Sequence, residues 1–393
     1  MVSLEYAISK VLEHSKPLSH TEQVTLWESL GRALASDITS DINMPPFNKS
    51  AVDGYACRKD DLQSTLKVLE VIPAGQMPTK IVTAGTCSKI MTGAPLPDGA
   101  DCVIMVEEVE DVNASEIHFT GKYSKPNIAR FAEDTEVGDI VLSKGILIEP
   151  KHIAILAAVG ASMVTVATKP RVSILITGDE LVEPEIKPEL SQIRNSNGHQ
   201  LYAQVINAGA IPVYGGIVDD TKESTQTAIA QALEKSNIVV LTGGVSMGDF
   251  DYVPNVLKDL GVDIMFQTIA VQPGKPTLFG VKGDKLVFGL PGNPVSSLFQ
   301  FDLLVQPAIK SMMGLSKPTK DILKMPLAND YKRKRAERLA LVPARINNSG
   351  EVEPINYHGS AHIFALAKAN AMVIVPLGVD FIKKGETVDV RQL

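Results

Sequence analysis

Between Arg171 and Met313 short apolar runs alternate with segments of helical periodicity, and this alternation restricts the fold more than any other feature of the chain. Arg171–Thr177, Ile211–Val218, Ile238–Thr242, 263–271 and 286–289 have the length and apolar content of strands. Between them, 197–208 places Leu201, Val205 and Ala208 on one helical face. Lys222–Lys235, 253–260 and a long segment over 294–313 also read as helices. Apolar strands separated by helices require a mostly parallel sheet covered on both faces. Ligands of such sheets bind outside the carboxyl ends of the strands.

The flanking sequence has a different texture. Residues 1–44 read as helical: Ser19-His-Thr-Glu22 has the spacing of a capping box, and Val24, Trp27 and Leu30 follow at helical intervals before Gly31. From Met44 to Leu142, Pro45, Pro46, Pro73, Pro78, Pro95 and Pro97 preclude long helices, and β-rich runs lie between them. The uncharged stretch 153–168 reads as a buried helix followed by a strand. After Lys317-Pro318 the alternation ends, and Leu339–Ile346, Ala371–Val375 and 387–390 are β-like. The expected organisation is multidomain, α/β plus β. Residues 1–44 and 143–169 form a discontinuous linker domain, 45–142 an inserted β-rich domain, 170–317 a doubly wound α/β domain and 318–393 an all-β domain. A chain of 393 residues exceeds what one hydrophobic core serves.

Composition excludes several classes. A net charge of −7 leaves no bulk cation excess to neutralise nucleic-acid phosphates. Cys57, Cys87 and Cys102 contain no Cys-x-x-Cys pair and are too few for a disulfide scaffold, which fits a reducing cytoplasm. Residues 1–16 carry Glu5 and Glu13 and no continuous apolar run, so no signal peptide is expected there; no segment has the length of a membrane span.

Four segments carry candidate chemistry. Leu290-Pro-Gly-Asn-Pro-Val-Ser296 joins a strand to a helix, with Asn293 at the N-cap and Pro294 at N1; Gly292 permits close backbone approach. Free N–H groups at such a helix start suit an anion, although the sequence also reads as a well-made turn. Gly243-Gly-Val-Ser-Met-Gly-Asp-Phe-Asp251 follows a strand. Gly243 and Gly244 offer backbone N–H groups to phosphate, Ser246 adds a hydroxyl, and Asp249 and Asp251 suit a hard cation such as Mg²⁺; a solvated turn is the plain alternative. Thr177-Gly-Asp-Glu-Leu181 sets paired carboxylates at another strand end, and Pro273-Gly-Lys-Pro276 offers Lys275 to an anion. His358 and His362 have the spacing of a zinc pair, but Gly359 and Ser360 disfavour a helix between them and no third ligand is evident. Lys332-Arg-Lys-Arg335 reads as a solvated hairpin face.

Further segments stand in order with these: Pro45-Pro-Phe-Asn-Lys-Ser-Ala-Val-Asp-Gly-Tyr-Ala56, Met91-Thr-Gly-Ala-Pro-Leu-Pro97, Gly99-Ala-Asp101, Ala132-Glu-Asp134, Gly359-Ser360 and Ala369-Asn370. Over nearly its whole length the chain resembles the molybdopterin molybdenumtransferase family, which includes bacterial MoeA and the E domain of gephyrin. The resemblance implies a homodimer of four-domain subunits, with the inserted domain of one facing the α/β domain of the other. The implied substrates are adenylylated molybdopterin and molybdate, with Mg²⁺, and the products are molybdenum cofactor and AMP. A molybdopterin adenylyltransferase and molybdoenzyme delivery factors are the implied partners. Motif by motif, the implied catalytic residues are Asp53, Asp134, Glu180, Asp219 and Asp251, the last three as metal ligands. Thr92, Pro291, Pro294, Arg338 and Ser360 are implied in substrate binding, beside Gly243, Gly244, Ser246, Lys275, Gly292 and Asn293 from the local reading. The chain departs from the family at Asn48, where many members place Asp, and at Thr268 and Gln272, where some bacterial members carry lysine. Three alternatives stay open: the sibling adenylyltransferase that shares the α/β domain, a binding scaffold, and a paralogue that holds the cofactor without inserting metal. Molybdate and tungstate are too alike in size and charge for the sequence to choose between them.

Overall fold

A computed structural model describes residues 1–123, 125–244 and 252–393. Ser246, Asp249 and Asp251 therefore lie outside the described residues. The chain divides into two compact units. One comprises Met1–Ser36, Lys144–Glu149 and Met163–Leu393; the other comprises Asp37–Ser143 and Pro150–Ser162.

The central sheet of the larger unit has six strands: β1 (Arg171–Thr177), β2 (Ile211–Val218), β3 (Ile238–Thr242), β4 (Asp263–Phe266), β5 (Leu278–Lys282) and β6 (Lys285–Leu290). Their order is β2-β1-β3-β6-β5-β4. The first four are parallel, and β5 and β4 complete the sheet antiparallel. Successive side chains of a strand point to opposite faces, and the core divides accordingly. Val172, Ile174 and Ile176 of β1, Ile238 and Val240 of β3, and Leu286 and Phe288 of β6 pack on one side with Leu201 and Val205 of helix α1 (Ser196–Asn207). Leu175, Val239, Leu241 and Val287 face the other way. They meet Ile229 and Leu233 of α2 (Lys222–Lys235) and Val256 and Leu257 of α3 (Val253–Asp259). Strands apolar on both faces thus come from burial on both faces. The expected 263–271 strand ends at Phe266, and Val271–Gln272 instead pairs with Leu339–Ile346 of a second, β-only sheet formed otherwise by Leu323–Pro326, Val352–Pro354, Ala371–Val375 and Thr387–Gln392.

Four local expectations need correction. Residues 1–44 are α-helical only over Leu4–His14, with a single 3-10 turn at Trp27–Ser29. Thr21–Thr25 is a strand paired antiparallel with Met163–Ala167, so Ser19 and Glu22 form no capping box; Glu22 instead pairs with Arg32. Thr and Val favour extended backbone, and pairing with a partner strand overrides the helical spacing. The helix Pro150–Ala158 buries only Leu156, not a whole face. The 294–313 helix is interrupted: α4 (Pro294–Gln300) passes into a π segment, Phe301–Val305, before Gln306–Met312. In the basic run Arg333 is not a solvated cation, because its guanidinium donates to the carbonyls of Val379 (2.6 Å), Arg338 (2.8 Å) and Pro376 (2.7 Å).

The π segment carries Asp302, which is buried and ion-paired with Arg391, and also accepts from Lys320 Nζ (2.6 Å). Arg391 also donates to the Asp302 carbonyl (2.7 Å). These contacts fasten Thr387–Gln392 to the helix that packs on the central sheet.

The smaller unit holds a six-stranded mixed sheet in the order Cys102–Met105, Gly54–Cys57, Thr86–Ile90, Thr65–Ile72, Glu116–Phe119, Val109–Asn113. Cys57 lies opposite Cys87 on one side and Cys102 on the other, and all three are buried free thiols. A contact with Cys102 and burial push the Cys57 thiol up, and burial pushes Cys87 up to about 12. These thiols serve packing rather than nucleophilic chemistry.

Candidate active site

The strand order 2-1-3 makes β1 and β3 the place where chain connections leave in opposite directions, and a crevice opens there at the carboxyl ends. It is a cavity of about 490 Å³. Thr177 and Thr242 end the two strands; Gly243 and Gly292 contribute backbone. Asn195 and Asn197 come from the start of α1, and Ala361, Ile363 and Phe364 close one side from the carboxyl-terminal region.

Each wall has a local cause. Gly243 has φ +90°, and a Cβ there would collide with the Thr177 carbonyl, so only glycine lets the chain turn against the end of β1. Gly292 has Gly243 Cα as its nearest neighbour, at 3.9 Å from where a Cβ would stand, so the two loops meet without side chains. Asn293 occupies the N-cap of α4, but its side chain does not close on the helix. Its Nδ2 donates to Ser360 Oγ (2.9 Å), and Val295 N donates to the Ser360 carbonyl (3.1 Å). The helix start is thus tied to the 360–364 segment. Beneath it, Thr242 Oγ1 bonds the Pro291 carbonyl (3.0 Å), while Asn197 Nδ2 reaches Thr242 Oγ1 (3.2 Å) and the Gly292 carbonyl (2.7 Å).

A polar network stands behind α1. Asn195 Oδ1 caps the helix by accepting from Gly198 N (2.9 Å), and its Nδ2 donates to Tyr214 Oη (2.8 Å). Tyr214 Oη donates to Glu183 Oε1 (2.6 Å), and His199 Nε2 lies 3.0 Å from Glu183 Oε2. Burial would raise Glu183, but hydrogen bonds from Tyr214, His199 and Asn195 hold it below the ordinary carboxylate range. Burial, and then Glu183, push Tyr214 up. The network fixes the 181–194 excursion, whose Leu181–Val182 and Ile193–Arg194 pair as short parallel strands at the cavity rim.

The structure brings together Glu180, Gly243, Gly292, Asn293 and Pro294 in the cavity lining, with Pro291, Gly244 and Ser360 bonded or adjacent to it. Asp219 is exposed beyond the end of β2 and does not line the cavity; the loops after β1 and β2 are joined by Asp220 N donating to Asp179 Oδ1 (3.0 Å). Lys275 is exposed and also lies outside the lining. Arg338 donates to the Val271 carbonyl (3.1 Å), beside Gln272. Gln272 borders a separate cavity of about 290 Å³ with Lys334, Arg335, Tyr331 and Tyr357, the last pushed up to about 12 by burial. In the smaller unit Asp53 Oδ1 accepts from both Thr92 N and Thr92 Oγ1 at 2.7 Å, and these bonds hold its carboxyl below the usual range. Asp134 is exposed in the same unit, its N–H donating to the Met44 carbonyl (2.9 Å). The rings of His358 and His362 stack at 5.3 Å. Sequence reasoning missed Asn197 and Asn195, whose only signal was the helix-start composition Asn-Ser-Asn-Gly.

Three family profiles match in order. "MoeA N-terminal region (domain I and II)" covers residues 2–160, "Probable molybdopterin binding domain" 173–311, and "MoeA C-terminal region (domain IV)" 324–393. A molybdopterin molybdenumtransferase of Staphylococcus epidermidis is 36% identical over 99% of this chain and 95% of its own length. The chain belongs to the MoeA family. Another MoeA-family relative, the molybdopterin molybdenumtransferase of Bacillus subtilis, is 34% identical over 99% of this chain and 93% of its own. The crystal structure of the molybdopterin biosynthesis moeA protein from Pyrococcus horikoshii OT3 superposes with a TM-score of 0.85, at 31% identity and full coverage of both chains. MoeA membership accounts for the α/β-plus-β architecture and for the order of the motifs along the chain. No helix among the described residues is long and apolar enough to cross a membrane.

Proposed function

We propose that this protein inserts molybdenum into adenylylated molybdopterin and releases AMP, completing molybdenum cofactor. The observation that carries the proposal is the cavity at the ends of β1 and β3, where two glycine-bearing loops and the start of α4 meet without intervening side chains. Backbone N–H groups in that setting suit phosphate oxygens. The apolar residues Leu181, Ile193, Ile363 and Phe364 offer apolar surface that suits a flat ring.

Glu180 at the rim, Asp219 and Asp251 are the proposed carboxylates for Mg²⁺. Oxygen donors suit this ion, and it is commonly held by one or two carboxylates with substrate phosphates supplying the rest. Among the described residues no three His, Cys, Asp or Glu side chains converge, so the proposal leaves the remaining ligands to substrate phosphate and Asp251. When bound, Mg²⁺ would neutralise charge developing on the phosphoanhydride. Lys275, Arg338 and Ser360 are proposed to receive molybdate, with Asp53, Thr92 and Asp134 acting from the smaller unit of a second subunit in a homodimer. The four-domain division, a cytoplasmic setting, a molybdopterin adenylyltransferase as supplier and molybdoenzyme delivery factors as acceptors belong to the same reading.

The test is AMP release from adenylylated molybdopterin with Mg²⁺, with and without molybdate. Molybdate-dependent release is expected. Tight binding without release would refute the transferase and favour a carrier, with Thr268 and Gln272 as the first positions to restore to lysine.

A further inference from the structure

The cavity floor contains two buried polar atoms without partners. Thr177 is 4% exposed and Asn197 8%, yet neither Thr177 Oγ1 nor Asn197 Oδ1 has a hydrogen-bond partner among the described residues. Both residues line the cavity. Buried polar atoms in folded proteins are nearly always paired, so a buried orphan on a residue that lines a cavity asks for a partner that the described residues do not supply.

The polarity of the Asn197 orphan is fixed by its surroundings. The Pro291 carbonyl can only accept, so the Thr242 hydroxyl spends its proton there. The Thr242 oxygen then accepts, and the group facing it must be the Asn197 amide nitrogen. The second amide hydrogen goes to the Gly292 carbonyl, another obligatory acceptor. A flipped amide would set oxygen against oxygen at Gly292 and leave Thr242 Oγ1 without its donor. Asn197 Oδ1 is therefore left as a buried acceptor, on a residue that lines the cavity, whose polarity the protein itself cannot reverse.

We infer that Asn197 selects an N–H donor on a nitrogen heterocycle, the amino group of a purine or pterin ring, and that Thr177 supplies the adjoining hydroxyl contact. The inference rests on the reading of the cavity proposed above and adds a specificity-determining pair to it. A phosphate or molybdate oxygen is excluded from this spot, because it would bring a second acceptor against Oδ1. A ribose hydroxyl fits less well, because Leu181, Ile193 and Phe364 around the cavity offer apolar surface to a flat ring. Anion and ring are thus sorted within one cavity: oxyanions to the glycine loops and helix start, the ring donor to the floor.

The experiment is a ligand–protein double-mutant cycle by calorimetric titration of the full-length protein. One ligand pair is AMP and purine riboside 5′-monophosphate, which lacks the amino group. The other is 6-hydroxymethylpterin and its 2-desamino analogue. In the unmodified protein one pair is expected to show discrimination of about 10-fold or more for the amino-bearing member, since a site built to bond an N–H rejects the analogue without it. In Asn197→Ala that ratio falls to near 1, and the pair that responds identifies the ring. Loss of the Gly292 tether alone would weaken both members equally and leave the ratio intact, which would overturn the inference.

Thr177→Val and Thr242→Val keep the test open should Asn197→Ala fold poorly. The first removes the second orphan, with an expected loss of about 5-fold for the amino-bearing ligand. The second removes one of the two groups that hold the amide while the Gly292 carbonyl keeps the other, so the ratio should fall without vanishing. Binding of nucleotide or pterin with no discrimination in either pair refutes the Asn197 inference and leaves the proposed function standing. Absence of all binding removes both.

Discussion

Gly243 and Gly292 both lack a side chain where the two cavity loops meet, but for different reasons. Gly243 needs φ +90° and has the Thr177 carbonyl where a Cβ would stand. Gly292 has a negative-φ backbone open to any residue, with space around it. Gly243→Ala should therefore cost about 1–3 kcal/mol in urea unfolding. Gly292→Ala should change stability by no more than about 0.5 kcal/mol, yet weaken nucleotide binding, because its methyl would stand between the loops. Equal destabilisation by both would contradict this distinction. Asp53 offers a second measurable case. Its folded-state pKa lies below the ordinary value, so the contribution of its bonds to Thr92 is present above the unfolded carboxylate range and is lost as pH falls through the depressed folded value. Thr92→Val removes the hydroxyl bond but keeps the stronger one from the backbone N–H, so it should return Asp53 only part of the way toward the ordinary range in an NMR titration. At this scale the sequence displayed glycines and carboxylates, since their rarity or charge marks them. Asn197 was hidden because its role depends on which way Thr242 and two carbonyls face, and that exists only after β3, α1 and the 291–292 loop have met.

Among the elements, strands were readable wherever both faces are buried. Arg171–Thr177 and Ile238–Thr242 admit no polar alternation and so fix their own type and ends. Thr21–Thr25 was misread because it shows one buried residue, Val24, in five; its strand character comes from Met163–Ala167, more than a hundred residues away. Leu278–Lys282 escaped notice because it turns straight into β6 at Gly283-Asp284. The carboxyl-terminal strand makes a quantitative prediction. Arg391 and Asp302 are both buried, and removing the guanidinium leaves the buried carboxylate with Lys320 as its one remaining cation among the described residues and without the bonds from Arg391. Arg391→Met should cost about 3–5 kcal/mol. Lys324 pairs with Asp389 on the same strand but is exposed, and Lys324→Met should cost less than about 1 kcal/mol. Thermal or urea unfolding of the two variants measures the contrast, and similar losses would rule out the buried ion cluster as the fastening.

For the molecule as a whole, the two units have separate hydrophobic cores. One is built on Leu66, Ile104 and Ile117, and the others include those on either face of the central sheet. Units with their own cores unfold as separate cooperative bodies unless coupled strongly. Scanning calorimetry is expected to resolve two transitions, with Arg391→Met lowering only the one that belongs to the larger unit. A single transition shifted as a whole would show that the units unfold together. The α/β alternation and the motif order made the architecture legible from sequence, because each depends on neighbours in the chain. The cavity floor and the ion cluster were not legible, because each joins segments distant in sequence.

That distance also bears on how the chain is made. Asp302 sits in a helix packed on the central sheet, and its guanidinium partner follows 89 residues later. A polypeptide synthesised from its amino end exposes Asp302 long before Arg391 exists, and domains begin to fold as they emerge. The α/β layer can collapse on the ribosome-bound chain, but the carboxylate of its π turn has only Lys320, 18 residues on, as a cation until the strand Thr387–Gln392 has been added. That late-made strand therefore completes the buried ion cluster, and a nascent or truncated chain without it would present an unfinished core for chaperones and proteases to recognise.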